Sequence, residues 1–573
     1  MLVYVKSAKC IGINAVPVTI EVDITLGIGI HLVGLADAAV KESLLRTVTA
    51  LQSKGFHIPG KKIVINLAPA DLHKQGSGYD LPIALGIIAA SGQAEVPRLG
   101  EFLICGELSL DASIRRVGGA LPMAEMARKS GCAGCIFPVE SAVEAAEYEE
   151  GEIYGVSNLD EVLRILSGEV CEDLLIRNSE AWRLREDDYG PVGGNFMDLK
   201  DIMGQEGAKR GIEIAAAGGH NVIMVGSPGS GKSSLAKAMA GILPPMSREE
   251  AVITSKIYSV AGKGRLSAGL MRARPFRAPH HSCSQAALLG GGSGENIVPG
   301  EVSLANGGIL FIDEFSEAPK GVVEALRGPL EDRKVTVSRL KAKIEYPASF
   351  MLVAASNPCP CGYYGEDDRC SCSPGQRVSY LQRLSGPILD RIDIQLYMRS
   401  VPAGVLVRGE KGESSATVAA RVRAAREIQL ERFRFEPFFT NAEMNSSALE
   451  RYCPLDDESK NMLEGLIDKL GLSARAYTRI VKIARTIADL ECVSGAPGGA
   501  GRGTAPGGAG SGPMAGGAGG ADGGIAPGGA GDGAGARGAG GVTLRPALAG
   551  PILPRHLAEA ASFRFLDRRN IWE

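Results

Sequence analysis

The sequence predicts an α/β fold with a helical C-terminal part, and three observations point there. Short apolar runs such as KKIVINLAP, EFLICGEL, NVIMV and GGILFIDEF alternate with helical stretches such as YDLPIALGIIAASG over the first two thirds of the chain. One of those strands, NVIMV, runs directly into a glycine-rich loop and then into the helix SLAKAMAGIL. Beyond the last strand the pattern turns to long amphipathic helices, TVAARVRAAREIQLERF first.

At 573 residues the chain is too long for one core. Residues 1–175 read as a first α/β domain, the polar stretch RNSEAWRLREDDYGPVGGN falls in a linker over 176–198, residues 199–400 form a parallel-sheet core, and 401–573 are helical. Residues 494–541 interrupt that last part with Gly, Ala and Pro. Such a run buries too little side-chain surface to offset its chain entropy, so a disordered insert is expected. Loop closure grows only logarithmically in cost with length, so the flanking helices are still expected to pack together.

Composition narrows the classes. Lys plus Arg number 62 against 65 for Asp plus Glu, which excludes a global positive field for nucleic acid; any DNA contact must be local. No run of eighteen apolar residues occurs, and the N-terminus lacks a basic start followed by an unbroken apolar stretch, so no membrane partner and a cytoplasmic location are expected. Twelve cysteines in a reducing compartment are expected to be buried or to bind metal rather than to form disulfides.

The glycine-rich loop is GSPGSGKSS, residues Gly226, Ser227, Pro228, Gly229, Ser230, Gly231, Lys232, Ser233 and Ser234, and it fills the GxxxxGK[ST] pattern between strand and helix. Its glycines let main-chain N–H groups wrap phosphates at a helix N-terminus, Lys232 neutralises the β and γ oxygens of ATP, and the Ser233 hydroxyl ligates Mg2+. Further on, GGILFIDEF ends in two acids. Asp313 is expected to hold the magnesium shell and Glu314 to deprotonate the attacking water. The strand FMLVAASN places Asn357 to fix that water, SGPILDRID places Arg391 to reach a neighbouring subunit's γ-phosphate, and Arg475 in LSARAY lies on a helix that can fold over the nucleotide.

CPCGYYGEDDRCSC brings Cys359, Cys361, Cys370 and Cys372 together as two close pairs. Four thiols allow a tetrahedral Zn2+ site that staples a coreless loop; free buried thiols are the alternative, because the spacing is C-x-C rather than C-x2-C. Cys132 and Cys135 are a lone pair and read as buried thiols. The adjacent His280 and His281 are expected to point in different directions, in a structural or pore-loop role rather than a catalytic one.

These residues, with DIMGQEGAKRGIEIAAAGGHN before the lysine loop and RPFRAPHHSCSQAALLGGG after it, closely resemble the magnesium-chelatase-like AAA+ family of competence protein ComM and YifB. The resemblance implies a homo-hexameric AAA+ ring with Lys232 and Ser233 as Walker A, Asp313 and Glu314 as Walker B, Asn357 as sensor 1, Arg391 as arginine finger and Arg475 as sensor 2. It further implies a DNA translocase or helicase that drives branch migration in recombination or natural transformation, with a magnesium-chelatase-like or chaperone-like remodelling ATPase as the other possibility. VTVSRLKAKIEYPA reads as a hairpin with Arg339, Lys341 and Lys343 near its tip, either simply solvated or, as in related ring motors, following a phosphate backbone in the pore. LAPADLHKQGSGYDLPIALG and GELSLDASIRRVGGALP make the first domain resemble the Lon-protease type (ribosomal S5 domain 2-like). Lon-type proteolysis needs a serine activated by a lysine, but the matching positions carry Gly78 and Leu121. A scaffold without peptidase activity is expected, with Ser77 and Lys74 as the alternative dyad.

Overall fold

The computed structural model describes residues 1–35, 38–72, 74, 76–148, 151–183, 186–188, 196–263, 268–293, 296–339, 342–366, 369–384, 386–409, 411–494 and 550–567. Nearly all of the expected Gly/Ala/Pro insert lies outside the described residues.

Alternating burial in Leu2–Ile11 and Lys62–Ala68 puts every second side chain into one core, as period-two strands require. With five more strands they build a mixed sheet in the order Gly29–Val33, Lys62–Ala68, Asn14–Thr25, Leu2–Ile11, Phe102–Ile104, Gly134–Pro138, Glu152–Val156. Asn14–Thr25 runs antiparallel to both Leu2–Ile11 and Lys62–Ala68, and the last three strands run parallel. The helix Asp80–Ser91 is apolar all round apart from its end residues Asp80 and Ser91, and Asp80 through Ala90 are buried. Asp80 itself is buried and held by the Arg46 guanidinium at 3.1 Å.

The second sheet has five strands in the order Phe276–Arg277, Ile309–Ile312, Met351–Ser356, Val222–Gly226, Ile394–Met398, every pair parallel. Its three central strands are short, almost wholly apolar runs buried throughout, as a parallel sheet covered by helices demands. Counted along the chain the order is 5-1-4-3-2, so the first strand sits between the fourth and the fifth and the connections diverge there. In open parallel sheets that divergence opens a crevice at the carboxyl ends of the strands.

The helices Ser415–Arg432 and Ala474–Ser494 pack on Glu206–Gly218, and one apolar cluster runs from the sheet strands Val222–Gly226 and Ile394–Met398 through Val422 and Ala425 to Ile480 and Ile487. Pro554–Ser562 closes on Ala474–Ser494: Arg555 bonds Glu491 at 2.7 Å and His556 pairs with the same carboxylate. The helices that flank the insert thus meet, as the slow growth of loop-closure cost allows.

Within 176–198 there is more order than a polar linker suggests. Glu186–Asp188 pairs in parallel with Ala268–Met271, strapping the segment to the second sheet's domain. The first domain also docks there. Leu121 is buried beside Met246, Ala251 and Leu270, and Lys256 pairs with Glu125. Among the described residues no helix is long and apolar enough to cross a membrane.

Candidate functional site: the carboxyl edge of the parallel sheet

The register brings the site together. Val225 lies opposite Ser356, Gly226 opposite Met398 and Ile312 opposite Ala354, so the residues that follow these strand ends leave the sheet along one edge. Gly226 has no room for a side chain, since a Cβ would sit 2.2 Å from the Met398 carbonyl oxygen. Gly229 and Gly231 have φ of +79° and +92°, which glycine adopts without strain, and open space surrounds both. The loop is therefore a backbone cradle, and Gly231 caps the helix Lys232–Ile242 whose N-terminal dipole faces into it.

Lys232 is buried, and its Nζ donates to the Gly226 carbonyl at 2.7 Å, to the Ser227 carbonyl at 2.9 Å and to Asn357 Oδ1 at 3.4 Å. Burial pushes its ammonium below the ordinary value, and Asp313 and Glu314 pull it back up. The Ser233 hydroxyl donates to Asp313 Oδ2 at 2.7 Å, and Asp313 Oδ1 accepts the Glu314 N–H at 2.9 Å. Neighbouring ligands of an octahedral Mg2+ stand about 2.9 Å apart, so the Ser233–Asp313 pair already has the spacing of two such ligands. ATP and magnesium fit this donor set: the cradle and Lys232 for the phosphates, Ser233 and Asp313 for the ion.

Glu314 shows a contact that the sequence did not. His281 Nδ1 lies 3.2 Å from Glu314 Oε2, and the His280 and His281 rings lie side by side, tilted by 33° with centroids 4.2 Å apart. The expectation that the two histidines point apart fails, because Phe276–Arg277 ends next to Ile309–Ile312 and the chain after it turns across the acidic strand end. The only sequence signal was the proximity of RAPHHS to a strand whose partner was unknown.

Arg391 and Arg475 lie elsewhere. The Arg391 carbonyl accepts from Asn221 Nδ2 at 2.9 Å, and Asn221 precedes Val222–Gly226 at the end opposite the lysine loop. A five-residue strand at about 3.3 Å per residue puts roughly 15 Å between them. Arg391 donates to the Pro387 carbonyl at 2.8 Å and pairs with Glu331, with 14% of its side chain exposed. Arg475, 67% exposed, bonds Asp390 at 2.9 Å. Neither guanidinium folds over the lysine loop of its own chain.

The four cysteines of CPCGYYGEDDRCSC do converge: their sulfurs all lie within 4.8 Å of one another, and none is in a disulfide. Burial pushes the Cys361 thiol up, but hydrogen bonds from the Tyr363 and Ser371 backbone and from Cys359 and Cys372 outweigh it and bring it down to about 6. Cys135 is sealed in Gly134–Pro138, its thiol pushed up by burial.

Lys334–Arg339 and Ala342–Pro347 form the expected antiparallel hairpin, with Lys343 exposed. Lys341 lies outside the described residues, as does the Arg339 side chain. A second hairpin, Gly290–Ser293 with Asn296–Pro299, was not foreseen in a glycine-rich run, and it is tied to the first by Tyr346 Oη donating to the Ile297 carbonyl at 2.7 Å. In the first domain Ser77 donates to Glu107 and Lys74 to the Pro69 carbonyl, so the two do not pair.

Sheet order, loop and acidic strand end together define a P-loop protein of the AAA+ class. The chain belongs, more narrowly, to the magnesium-chelatase-like family of ComM and YifB. Residues 198–406 match the family described as magnesium chelatase, subunit ChlI; residues 20–141 match subunit ChlI of Mg-chelatase, and 412–495 its C-terminal family. The chain is 44% identical to competence protein ComM of Haemophilus influenzae over 493 residues, 86% of this chain and 94% of that protein. It is 42% identical to the uncharacterized protein YifB of Salmonella typhimurium over the same shares. A shorter stretch of 217 residues, 38% of this chain and 27% of the other, is 28% identical to the probable DNA helicase MCM9 of Arabidopsis thaliana.

Proposed function

We propose that this chain is an ATP-hydrolysing AAA+ motor that assembles as a homo-hexamer in the cytoplasm and moves along single-stranded or branched DNA, promoting branch migration in recombination or natural transformation; the relative named competence protein ComM supports the link to competence. In this reading the cradle 226–234 binds the triphosphate, Lys232 neutralises its β and γ oxygens, Ser233 and Asp313 hold Mg2+, and Asn357 orients the water that Glu314 deprotonates. Arg391 as finger and Arg475 as sensor belong to the neighbour's site.

The observation that carries the reading is that split. Lys232, Ser233, Asp313, Glu314 and Asn357 gather at one sheet edge, while the two remaining cations sit about a strand's length away on the same chain. A site built so is incomplete without a second copy. The basic hairpin with Lys343 exposed supports a polyanion as the track, and the alignment to a probable DNA helicase supports it independently. The Lon-like first domain serves as scaffold: Gly78 and Leu121 stand where nucleophile and lysine are needed, and Ser77 and Lys74 are each engaged elsewhere.

ATP hydrolysis by the purified chain, measured with and without single-stranded, forked and four-way DNA, tests the assignment. Stimulation of several-fold by DNA is expected, and hydrolysis indifferent to all three substrates would sink the DNA motor. It would favour a magnesium-chelatase-like or chaperone-like remodeller, the second reading, which the family description supports. Lys232→Ala is expected to lose nucleotide binding, and Glu314→Gln to bind ATP with turnover reduced by about a hundredfold or more.

A further inference from the structure

The cysteine loop does not stand apart from the nucleotide cradle; it lies on it. Asn357 ends the strand Met351–Ser356, and the chain then folds back so that Glu366 accepts the Ser227 hydroxyl at 2.8 Å and the Ser400 N–H at 2.7 Å. Ser227 belongs to the cradle and Ser400 follows Ile394–Met398, so one carboxylate joins the cradle to the neighbouring strand. Gly362, at φ +85°, sits where a Cβ would come 2.9 Å from the Pro228 ring. Gly365, also at φ +85°, leaves no room for a side chain beside the Tyr397 hydroxyl, which donates to the Tyr364 carbonyl at 2.9 Å.

Little in the segment itself holds this arrangement. Among the described residues of 358–373 there is no helix or strand, and only Pro358 and Cys359 at its start are buried side chains. The sulfurs supply a geometry instead. Cys359 and Cys361 are 3.3 Å apart, Cys359 and Cys370 3.8 Å, Cys361 and Cys370 3.7 Å. A tetrahedral Zn2+ with zinc–sulfur bonds of about 2.3 Å requires sulfurs about 3.8 Å apart. Two of these three distances match an edge of a one-ion tetrahedron and the third is shorter, and with all four sulfurs within 4.8 Å of one another there is no space for a cluster of several irons. The C-x-C spacing, tighter than C-x2-C, is accommodated because the two pairs face each other across the turn.

We propose that Cys359, Cys361, Cys370 and Cys372 bind one structural Zn2+, and that this ion holds Glu366 and Gly362 against Ser227 and Pro228, so that metal loading sets the affinity of the lysine loop for nucleotide. The coupling rests on the assignment of residues 226–234 as the ATP site. Binding of Zn2+ by four thiols releases their protons to solvent and involves no change of oxidation state, so the balance needs no further reactant. The ion is too enclosed by four sulfurs to keep an open position, which makes it a staple rather than a catalyst. Removing it leaves residues 358–373 without their cross-link, and the Glu366 carboxylate no longer restrains the Ser227 hydroxyl.

The test uses the full-length chain. Zinc is measured by elemental analysis in the purified protein, in the Cys361→Ser/Cys370→Ser variant, in Glu366→Gln and in Lys232→Ala, and the affinity of each for a fluorescent ATP analogue is measured beside it. The expected results are one zinc per chain in the parent, in Glu366→Gln and in Lys232→Ala, and none in the double variant. Chelator-stripped parent is expected to bind the analogue about tenfold more weakly and to recover when ZnCl2 is returned, the size of effect that positioning residues typically have. Glu366→Gln, still zinc-loaded and folded, is expected to weaken analogue binding in the same direction. A parent that neither carries zinc nor takes it up from ZnCl2 refutes the site. Equal affinity in stripped and reloaded chain refutes the coupling. Analogue binding by Lys232→Ala at the parent's affinity refutes instead the nucleotide assignment, and leaves the zinc measurement standing.

Discussion

Glu314 takes a left-handed backbone conformation, φ +50° and ψ +43°, which a residue with a side chain holds at a cost of about 1 kcal/mol or more. The neighbouring Asp313 carboxylate accepts the Glu314 N–H, fixing the turn that lifts the second acid out of the strand. The Glu314 side chain is 54% exposed, with the His281 imidazole 3.2 Å from its carboxylate. An exposed carboxylate with free rotamers is a poor base, because the proton it takes must lie within hydrogen-bond reach. If Glu314 is the base as proposed, His281 acts as its positioning residue, and His281→Ala is expected to lower kcat for ATP hydrolysis by about tenfold while KM for ATP changes less than twofold. Steady-state kinetics decide it: a rise in KM with kcat intact would place His281 on the nucleotide rather than on the base.

At the start of the lysine-loop strand the C-terminal helices lock onto the sheet through buried polar groups. Asp393, buried, accepts the Asn221 N–H at 3.1 Å and pairs with Arg479 of the helix Ala474–Ser494. His220, also buried, bonds Thr486 of that helix at 2.8 Å and faces Asp393 at 3.4 Å, with Lys482 and Arg479 as the other charges nearby. Burial pushes His220 below its ordinary 6.5, outweighing the pull of Asp393, so the folded chain refuses a proton that the unfolded chain accepts. The stability this gives is present above about pH 6.5 and is lost as pH falls below it. The thermal midpoint is expected to drop between pH 7.5 and 5.5, and to drop less in His220→Gln; equal drops would remove His220 from the account. Asp393→Asn, which leaves Arg479 facing a neutral partner, is expected to cost roughly 3 kcal/mol in denaturant unfolding at pH 7.5.

What was legible at this scale follows from locality. Lys232, Ser233 and the acidic pair Asp313 and Glu314 each follow an apolar strand, so their placement at one sheet edge is written in contiguous residues. The hairpin Lys334–Arg339 with Ala342–Pro347 announces itself by alternation. The contact of His281 with Glu314, the seat of Glu366 on Ser227 and the remoteness of Arg391 all depend on the strand order 5-1-4-3-2, which no local pattern encodes. The hairpin Gly290–Ser293 with Asn296–Pro299 escaped because three of its first four residues are glycine, which carries no alternation.

At the scale of the whole molecule, the proposed motor turns that strand order into a division of labour between copies. Arg391 is anchored at the strand end opposite its own cradle, and its partner Glu331 has 64% of its side chain exposed, so a neighbour's phosphates can compete for the guanidinium. A transferred phosphoryl group needs such a cation in its transition state, not in its ground state. Arg391→Ala is thus expected to bind ATP as the parent does and to lose turnover by about a thousandfold, the scale of an arginine finger. Lys232→Ala is expected to be inactive for the opposite reason, an empty cradle beside an intact finger. Mixed in equal amounts and reassembled, the two dead variants place a sound cradle against a sound finger at about a quarter of their interfaces if chains exchange at random. Hydrolysis should therefore reappear on mixing, at a fraction of the parental rate that falls as either variant is taken to excess. If the mixture stays as inactive as its components while analytical ultracentrifugation shows mixed rings, Arg391 does not act across the interface and the cation must come from another residue.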